Sequence, residues 1–275
     1  MSPEVGELDE DAVQEGLSDD PDEMMAMLAD LTAATDPKLR ALARRLAGQL
    51  FLDVSKRGPV RPRGIGKMVS LPYRPDRGDL DIDASIEAIA EARGGRRAID
   101  PDGLRVRAWA KPGTALCLMV DRSGSMGGKP LATSAVAAAA VAWRAPEDYS
   151  VLAFGKDIVV AKSQDVHKDS ERVVNDVLTL RGFGTTDVAG ALQVAKLQLM
   201  RSRAGRRIAV LLSDCRATVE GDVRAAAGAL DELLILAPEG DSEEAEKLAG
   251  AVGARVRTVS GPAEVAGALA ELLDT

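Results

Sequence analysis

The sequence predicts an α/β fold, a three-layer α/β/α arrangement around a mostly parallel six-stranded sheet, preceded by an N-terminal helical extension. Three observations predict it. From residue 112 onward, apolar runs of strand length alternate with segments of helical period, the pattern of parallel strands joined by crossover helices. The run over 115–120 is apolar without alternation, as in a strand covered on both faces. Before residue 112 the texture is different: helix starts at two Asp-Pro pairs, then stretches rich in Gly, Pro and Arg.

The elements follow in chain order. Residues 1–19 are acidic and poor in large apolar groups and are expected to form a disordered tail. Asp20-Pro21 reads as a helix cap followed by proline at the first helical position, with Met24, Met27, Leu28 and Leu31 at helical spacing behind it. Asp36-Pro37 repeats the signal ahead of Leu39, Leu42, Leu46 and Leu50, so 20–55 is expected to be a helical hairpin packed on the main domain. Residues 56–111 read as a basic linker or extended strap, with a short helix over 82–91. The main domain is expected over 112–275. Its strands are placed at 115–120, 149–154, 158–161, 207–213, 233–236 and 255–259. Its helices are placed at 131–143, 170–178, 188–202, 219–230, 242–252 and 262–273.

Composition narrows the chemistry. The chain has 275 residues with a formal net charge of −8, distributed as −12 over residues 1–36, +8 over 37–111 and −4 over the remainder. That balance argues against nucleic-acid binding, which needs a basic face to displace phosphate counterions. The acidic N-terminus has no apolar signal region and no run of about 18 apolar residues exists, so a cytoplasmic protein is expected. One histidine, His167, and two cysteines, Cys117 and Cys215, leave no material for a His- or Cys-based zinc site or a disulfide scaffold. Any metal site must be built from oxygen ligands.

In a parallel α/β sheet, ligands bind beyond the carboxyl ends of the strands, where the strand order reverses. Three oxygen-bearing segments fall there. Asp121-Arg122-Ser123-Gly124-Ser125-Met126 follows the first buried strand; Gly182-Phe183-Gly184-Thr185-Thr186-Asp187 precedes an amphipathic helix; and Ser213-Asp214 ends the central strand. Two hydroxyls two residues apart, carboxylates from two strand ends and a hydroxyl from a third loop make a hard-cation site suited to Mg²⁺ or Mn²⁺.

These segments resemble the von Willebrand factor A domain and its metal-ion-dependent adhesion site, the pattern Asp-x-Ser-x-Ser, then Thr, then Asp. The resemblance spans roughly 112–275 and implies a Rossmann-like fold. It implies that Ser123, Ser125 and Thr186 touch the metal, with Asp121 and Asp214 acting at least partly through water. Thr185 stands where the family has a second glycine, and Cys215 stands where its Ser-Asp-Gly ends. Within the family the chain resembles the bacterial CoxE-like group and the C-terminal part of the magnesium-chelatase D subunit, without that subunit's AAA+ module. This likeness implies a metal-dependent protein-binding module, partnered with a MoxR-type AAA+ ATPase in metal insertion or protein maturation, and no enzymatic activity. A partner carboxylate would complete the metal's coordination.

Rival readings are a helix-capping role for the same Ser and Asp residues, a metal-independent scaffold, and a hydrolase built on the Ser125 loop. The hydrolase would need His167 as its base, and that residue is expected on a solvated loop. Asp81-Ile82-Asp83 has the look of an aspartyl-phosphate motif but follows no buried strand and is expected to start a helix. Cys117 is expected to be buried mid-strand, and Cys215 to be exposed beside Asp214 as an inert or regulatory thiol.

Overall fold

The computed structural model describes residues 10–34, 37–56, 67–73, 79–95, 100–110, 113–122, 128–180 and 184–274. The chain divides into two compact units: residues 1–61 together with 114–275, and residues 62–113.

The larger unit opens with three helices, α1 (Glu10–Asp19), α2 (Pro21–Leu31) and α3 (Pro37–Ser55). Asp20 caps α2 by accepting a hydrogen bond from the Glu23 N–H at 3.0 Å, with Pro21 in the first turn. Over residues 10–19 the expected disordered tail is corrected by α1; the rest of that tail, residues 1–9, lies outside the described residues. Val13 and Leu17, one turn apart, pack into the core beside Met24, and Gly16 lets the Met24 side chain lie against the helix. The buried faces of the next two helices also differ from the apolar stripes read off the sequence. Helix α2 buries Met25, Leu28 and Ala29 and leaves Met27 exposed. Helix α3 buries Ala43, Ala47, Gly48, Phe51 and Val54, with its leucines only half-buried. Small residues win on α3 because they let it approach its neighbour closely.

That neighbour is an alanine-rich helix of the main sheet. The sheet has six strands in the order β6-β5-β4-β7-β8-β9, after the strand numbering that counts β1 to β3 in the smaller unit. They are β4 (Thr114–Asp121), β5 (Tyr149–Phe154), β6 (Ile158–Lys162), β7 (Arg206–Leu212), β8 (Leu233–Pro238) and β9 (Arg255–Val259). All pairs are parallel except β5 with β6. The order reverses between β4 and β7, which places the switch point at the ends of the strands carrying Asp121 and Asp214.

The helices of this unit are α5 (Gly128–Arg144), α6 (Ser170–Thr179), α7 (Val188–Leu199), α8 (Val223–Gly228), α9 (Glu243–Val252) and α10 (Pro262–Asp274), numbered after α4 of the smaller unit. Alternate residues of β4 feed the two cores. Leu116, Leu118 and Val120 face α5, α6 and α10; Ala115, Cys117 and Met119 face α7, α8 and α9. Helix α5 lies between the sheet on one side and α2 and α3 on the other, so its alanines are buried all round. The N-terminal helices thus add a further layer to the fold. Helix α8 is shorter than the 12-residue segment the periodicity suggested, because Asp222 caps it at the Ala225 N–H.

The C-terminal end of α10 is tied down by charge. Arg206 makes a bidentate pair with Glu232 (2.8 and 2.6 Å), Arg255 pairs with the same carboxylate, and the two arginines donate to the carbonyls of Leu273 and Leu272. Glu232→Ala leaves two partly buried guanidiniums without their shared carboxylate and is expected to lower stability by about 1–3 kcal/mol, reduced at high salt. Urea unfolding at low and high ionic strength checks it.

The smaller unit corrects the expected linker. It holds β1 (Lys67–Pro72), β2 (Asp79–Leu80), α4 (Ile82–Gly95) and β3 (Arg105–Ala110), with the strands in an antiparallel sheet of order β1-β3-β2. Most of the Gly-, Pro- and Arg-rich segments that suggested a linker fall at 57–66 and 74–78, outside the described residues. Asp81 starts α4, accepting from the Ala84 N–H and pairing with Arg107 at 3.3 Å, so the motif at 81–83 is a helix start.

Candidate metal centre

Asp121 closes β4, one of the two middle strands of the sheet, and Asp214 stands two residues beyond the end of β7, the other. Both line one cleft of about 250 Å³ at the carboxyl edge of the sheet. Its floor is Asp121, Leu212, Ser213 and Asp214. One wall is the first turns of α5, from Lys129 to Ser134, and the other is the turn between β9 and α10 at Ser260 and Gly261.

Ser213 is the strut of the site, a role the sequence reading did not assign it. Its hydroxyl donates to Asp121 Oδ2 at 2.6 Å and accepts from the Cys215 N–H at 2.9 Å. One side chain therefore sets the orientation of the β4 carboxylate and the path of the chain after β7. Asp214 accepts from the Arg216 N–H at 2.9 Å and makes no ion pair among the described residues. The signal for Ser213 was its place beside Asp214 at a strand end.

Thr186 reaches the same edge through backbone bonds. Its N–H donates to Thr218 Oγ1 at 2.7 Å, and its carbonyl accepts from the Thr218 and Val219 N–H groups in the loop after β7. The next residue, Asp187, donates its N–H to the Gly155 carbonyl beyond β5 and caps α7 at the Gly190 N–H. Thr186 is only 2% exposed, held between the loops that follow β5 and β7. Thr185 precedes this anchored point. Ser123 and Ser125 lie outside the described residues.

Cys215 follows Asp214 with φ +64, the one described non-glycine residue in the left-handed region. The family resemblance implies a glycine at this position, and the backbone adopts a conformation that glycine takes freely. Cys215 is 8% exposed, which corrects the expectation of an exposed thiol. Burial, with the nearby carboxylates of Asp214, Asp121 and Glu244, pushes its thiol up to about 12. Cys117, mid-strand and buried, is likewise pushed up to about 12, by burial. Cys215→Gly exchanges relief of the left-handed strain for lost burial and is expected to change stability by less than about 1 kcal/mol, whereas Cys215→Val, β-branched at positive φ, is expected to cost about 2 kcal/mol or more. Thermal unfolding of the two variants separates them.

The donor set suits a hard cation. Two carboxylates and the Ser213 hydroxyl line one cleft, Thr186 is not among the residues that line it, and among the described residues no cluster of three or more His, Cys, Asp or Glu side chains forms a softer or more highly charged site. His167 is exposed on the loop between β6 and α6, at the far edge of the sheet from β7.

No curated protein matches the sequence at a significant level. Among solved structures, the chain is similar to proximal thread matrix protein 1 from the mussel byssus, with 13% identity, 59% of this chain and 47% of that chain covered, and a TM-score of 0.48. A form of that mussel protein with a zinc-occupied MIDAS motif matches at 14% identity, covering 59% and 47%, with a TM-score of 0.47. A von Willebrand factor type A protein from Catenulispora acidiphila matches at 17% identity, covering 61% and 43%, with a TM-score of 0.45. The chain thus spans under half the length of these proteins. By sequence, residues 116–217, the segment from β4 through the loop after β7 that carries Asp121, Thr186 and Asp214, match the family model of the von Willebrand factor type A domain.

Proposed function

We propose that Asp121, Ser123, Ser125, Thr186 and Asp214 hold a divalent cation, Mg²⁺ or Mn²⁺, and that the protein binds another protein through it. The observation that carries this reading is the convergence of Asp121 and Asp214 on one cleft at the strand switch point, with Ser213 bridging their two loops. A bound Mg²⁺ would supply a position that accepts a carboxylate from the partner. The chain's own residues orient it: Ser213 sets the Asp121 carboxylate, and the loop after β7 anchors Thr186.

The functional setting we propose is that of an adaptor for a MoxR-type AAA+ ATPase, serving metal insertion or maturation of a client protein in the cytoplasm, in the manner of the CoxE-like and magnesium-chelatase D-like group. What supports it is the basic stretch ahead of the Asp121-Arg122-Ser123-Gly124-Ser125-Met126 loop, a texture shared with that group. In this reading the protein is not an enzyme. The test is a pull-down from cell extract with the full chain as bait, in Mg²⁺ and in EDTA, with Thr186→Ala as control. An ATPase retained in Mg²⁺ and lost both in EDTA and in the variant is the expected result. Partners held equally in EDTA would overturn the metal-dependent reading.

A further inference from the structure

Helix α4 of the smaller unit presents small residues to its own sheet and large apolar ones to water. Ser85 is fully buried. Its hydroxyl accepts from the Arg105 N–H at 2.8 Å and donates to the Arg105 carbonyl at 3.3 Å, which pins the helix to the start of β3. One turn on, Ala88 lies against Gly103, where an added Cβ would come within 2.8 Å of it. The isoleucines point elsewhere. Ile82 is 64% exposed, Ile86 is 58% exposed, and Ile89 is half-buried. A surface helix ordinarily does the reverse, giving its isoleucines to the core and its serines to solvent.

The exposed stripe has the spacing of a helix–helix seam. Ile82, Ile86, Ile89 and Arg93 follow one another at intervals of four, three and four residues, the d-a-d-a order of a coiled coil. Charge identifies the second helix. Asp83 stands at the N-terminal end of the stripe, and Arg93, the only basic residue of α4, stands at the other. Arg93 is exposed and makes no ion pair among the described residues. Laid antiparallel on a second copy of itself, α4 sets Ile86 against Ile89 of that copy. Ile82 then meets Arg93 of the second copy, whose guanidinium comes beside Asp83. Asp83 pairs with Arg107 in its own chain through Oδ2 at 3.0 Å, which leaves the other oxygen to accept Arg93. Parallel packing would instead stack Asp83 on Asp83 and Arg93 on Arg93, and would align the two helix dipoles. Glu87 and Glu91 are exposed on the flank away from the stripe and stay in water.

We infer that two copies of the protein pair through α4 in an antiparallel, two-fold contact: an isoleucine seam closed at each end by Arg93 of one copy and Asp83 of the other. Two-fold symmetry makes every contact twice, so a short helix suffices to define the pairing. The seam spans only about two heptads, at the low end of interface size, so the dimer is weak and depends on concentration. No residue of the metal centre takes part in it.

The test is sedimentation equilibrium of the full chain from about 10 to 500 µM. The weight-average mass should climb from that of the monomer toward twice that value, with a Kd of about 10–300 µM. Ile86→Lys puts a charge in the middle of the seam at an exposed position and should hold the chain monomeric throughout. Circular dichroism reports whether the variant folds, and Ile82→Lys reads the same contact if it does not. Charge exchange tests the antiparallel register. Arg93→Glu and Asp83→Lys should each weaken association by about tenfold, because each alone sets like charges together at both ends of the seam. Mixed in equal amounts, the two variants should associate about as tightly as the parent, because both ends then join opposite charges. A parent chain that stays monomeric to the highest concentration would overturn the self-association. So would association that survives both lysine variants, since the contact would then lie elsewhere. A mixture that associates no more tightly than either charge variant alone would overturn the antiparallel seam.

Discussion

Asp121→Ala and Asp121→Asn are both expected to weaken Mg²⁺ or Mn²⁺ binding by about 10–100-fold, the usual cost of losing a carboxylate that orients or completes a metal site. The two variants should differ in stability. Asp121 accepts the Ser213 hydroxyl at 2.6 Å, and Ser213 in turn accepts the Cys215 N–H. Alanine removes the acceptor and leaves that hydroxyl to find another partner, so Asp121→Ala is expected to be less stable by about 1–3 kcal/mol. Asparagine keeps an acceptor oxygen and removes the charge, so Asp121→Asn should lose metal while unfolding close to the parent. Isothermal titration with Mn²⁺ and denaturant unfolding measure the two effects separately. Parent-like metal affinity in both variants would end the metal reading. Lost affinity in alanine but not asparagine would assign Asp121 to holding Ser213 in place, with no part in the charge of the site.

The parts of the fold that were legible in the sequence are those whose burial is two-sided or whose ends carry capping chemistry. Strands β4 and β7 show continuous apolar runs because helices cover both faces, and Asp20-Pro21 and Asp81 mark helix starts through local hydrogen bonds within three residues. The carboxylates of the site were legible for a related reason: strand ends at a switch point are places the topology designates, and Asp121 and Asp214 sit there. What the sequence did not show depends on contacts between distant segments. The helix over Glu10–Asp19 exists because Val13 and Leu17 find the core, and local composition alone reads as solvated. The buried faces of α2 and α3 are set by the alanine surface of α5, which accepts small residues closely and turns the leucines of α3 to the side. Two side-chain caps from α2, Asp22 accepting from the Ala263 N–H and Asp30 from the Gly128 N–H, link residues 241 and 98 positions apart, with no pattern in the sequence to pair them. Cys215 is the intermediate case: the resemblance implied a glycine there, but neither the left-handed backbone nor the burial of the thiol was read from the sequence.

Phe51→Ala tests whether the N-terminal helices are part of the main fold. Phe51 is fully buried on α3 in the same core as α5 and the inner face of the sheet. A truncated phenylalanine in a packed interior costs about 3–5 kcal/mol, which for a unit of this size corresponds to a fall in Tm of roughly 6–20 °C. The physical point is where that loss is felt. Helix α5 is alanine on nearly all sides, so without α2 and α3 it would expose a broad apolar face to water. The helices and the sheet should therefore melt in one transition, and Phe51→Ala should move it whether it is followed by far-UV circular dichroism or by the fluorescence of Trp143 on α5. Met27→Ala, at a position 42% exposed on α2, is the matching control and should shift stability by less than about 0.5 kcal/mol. A variant in which a minor early transition appears while the main one stays put would show the helices to be an independent appendage.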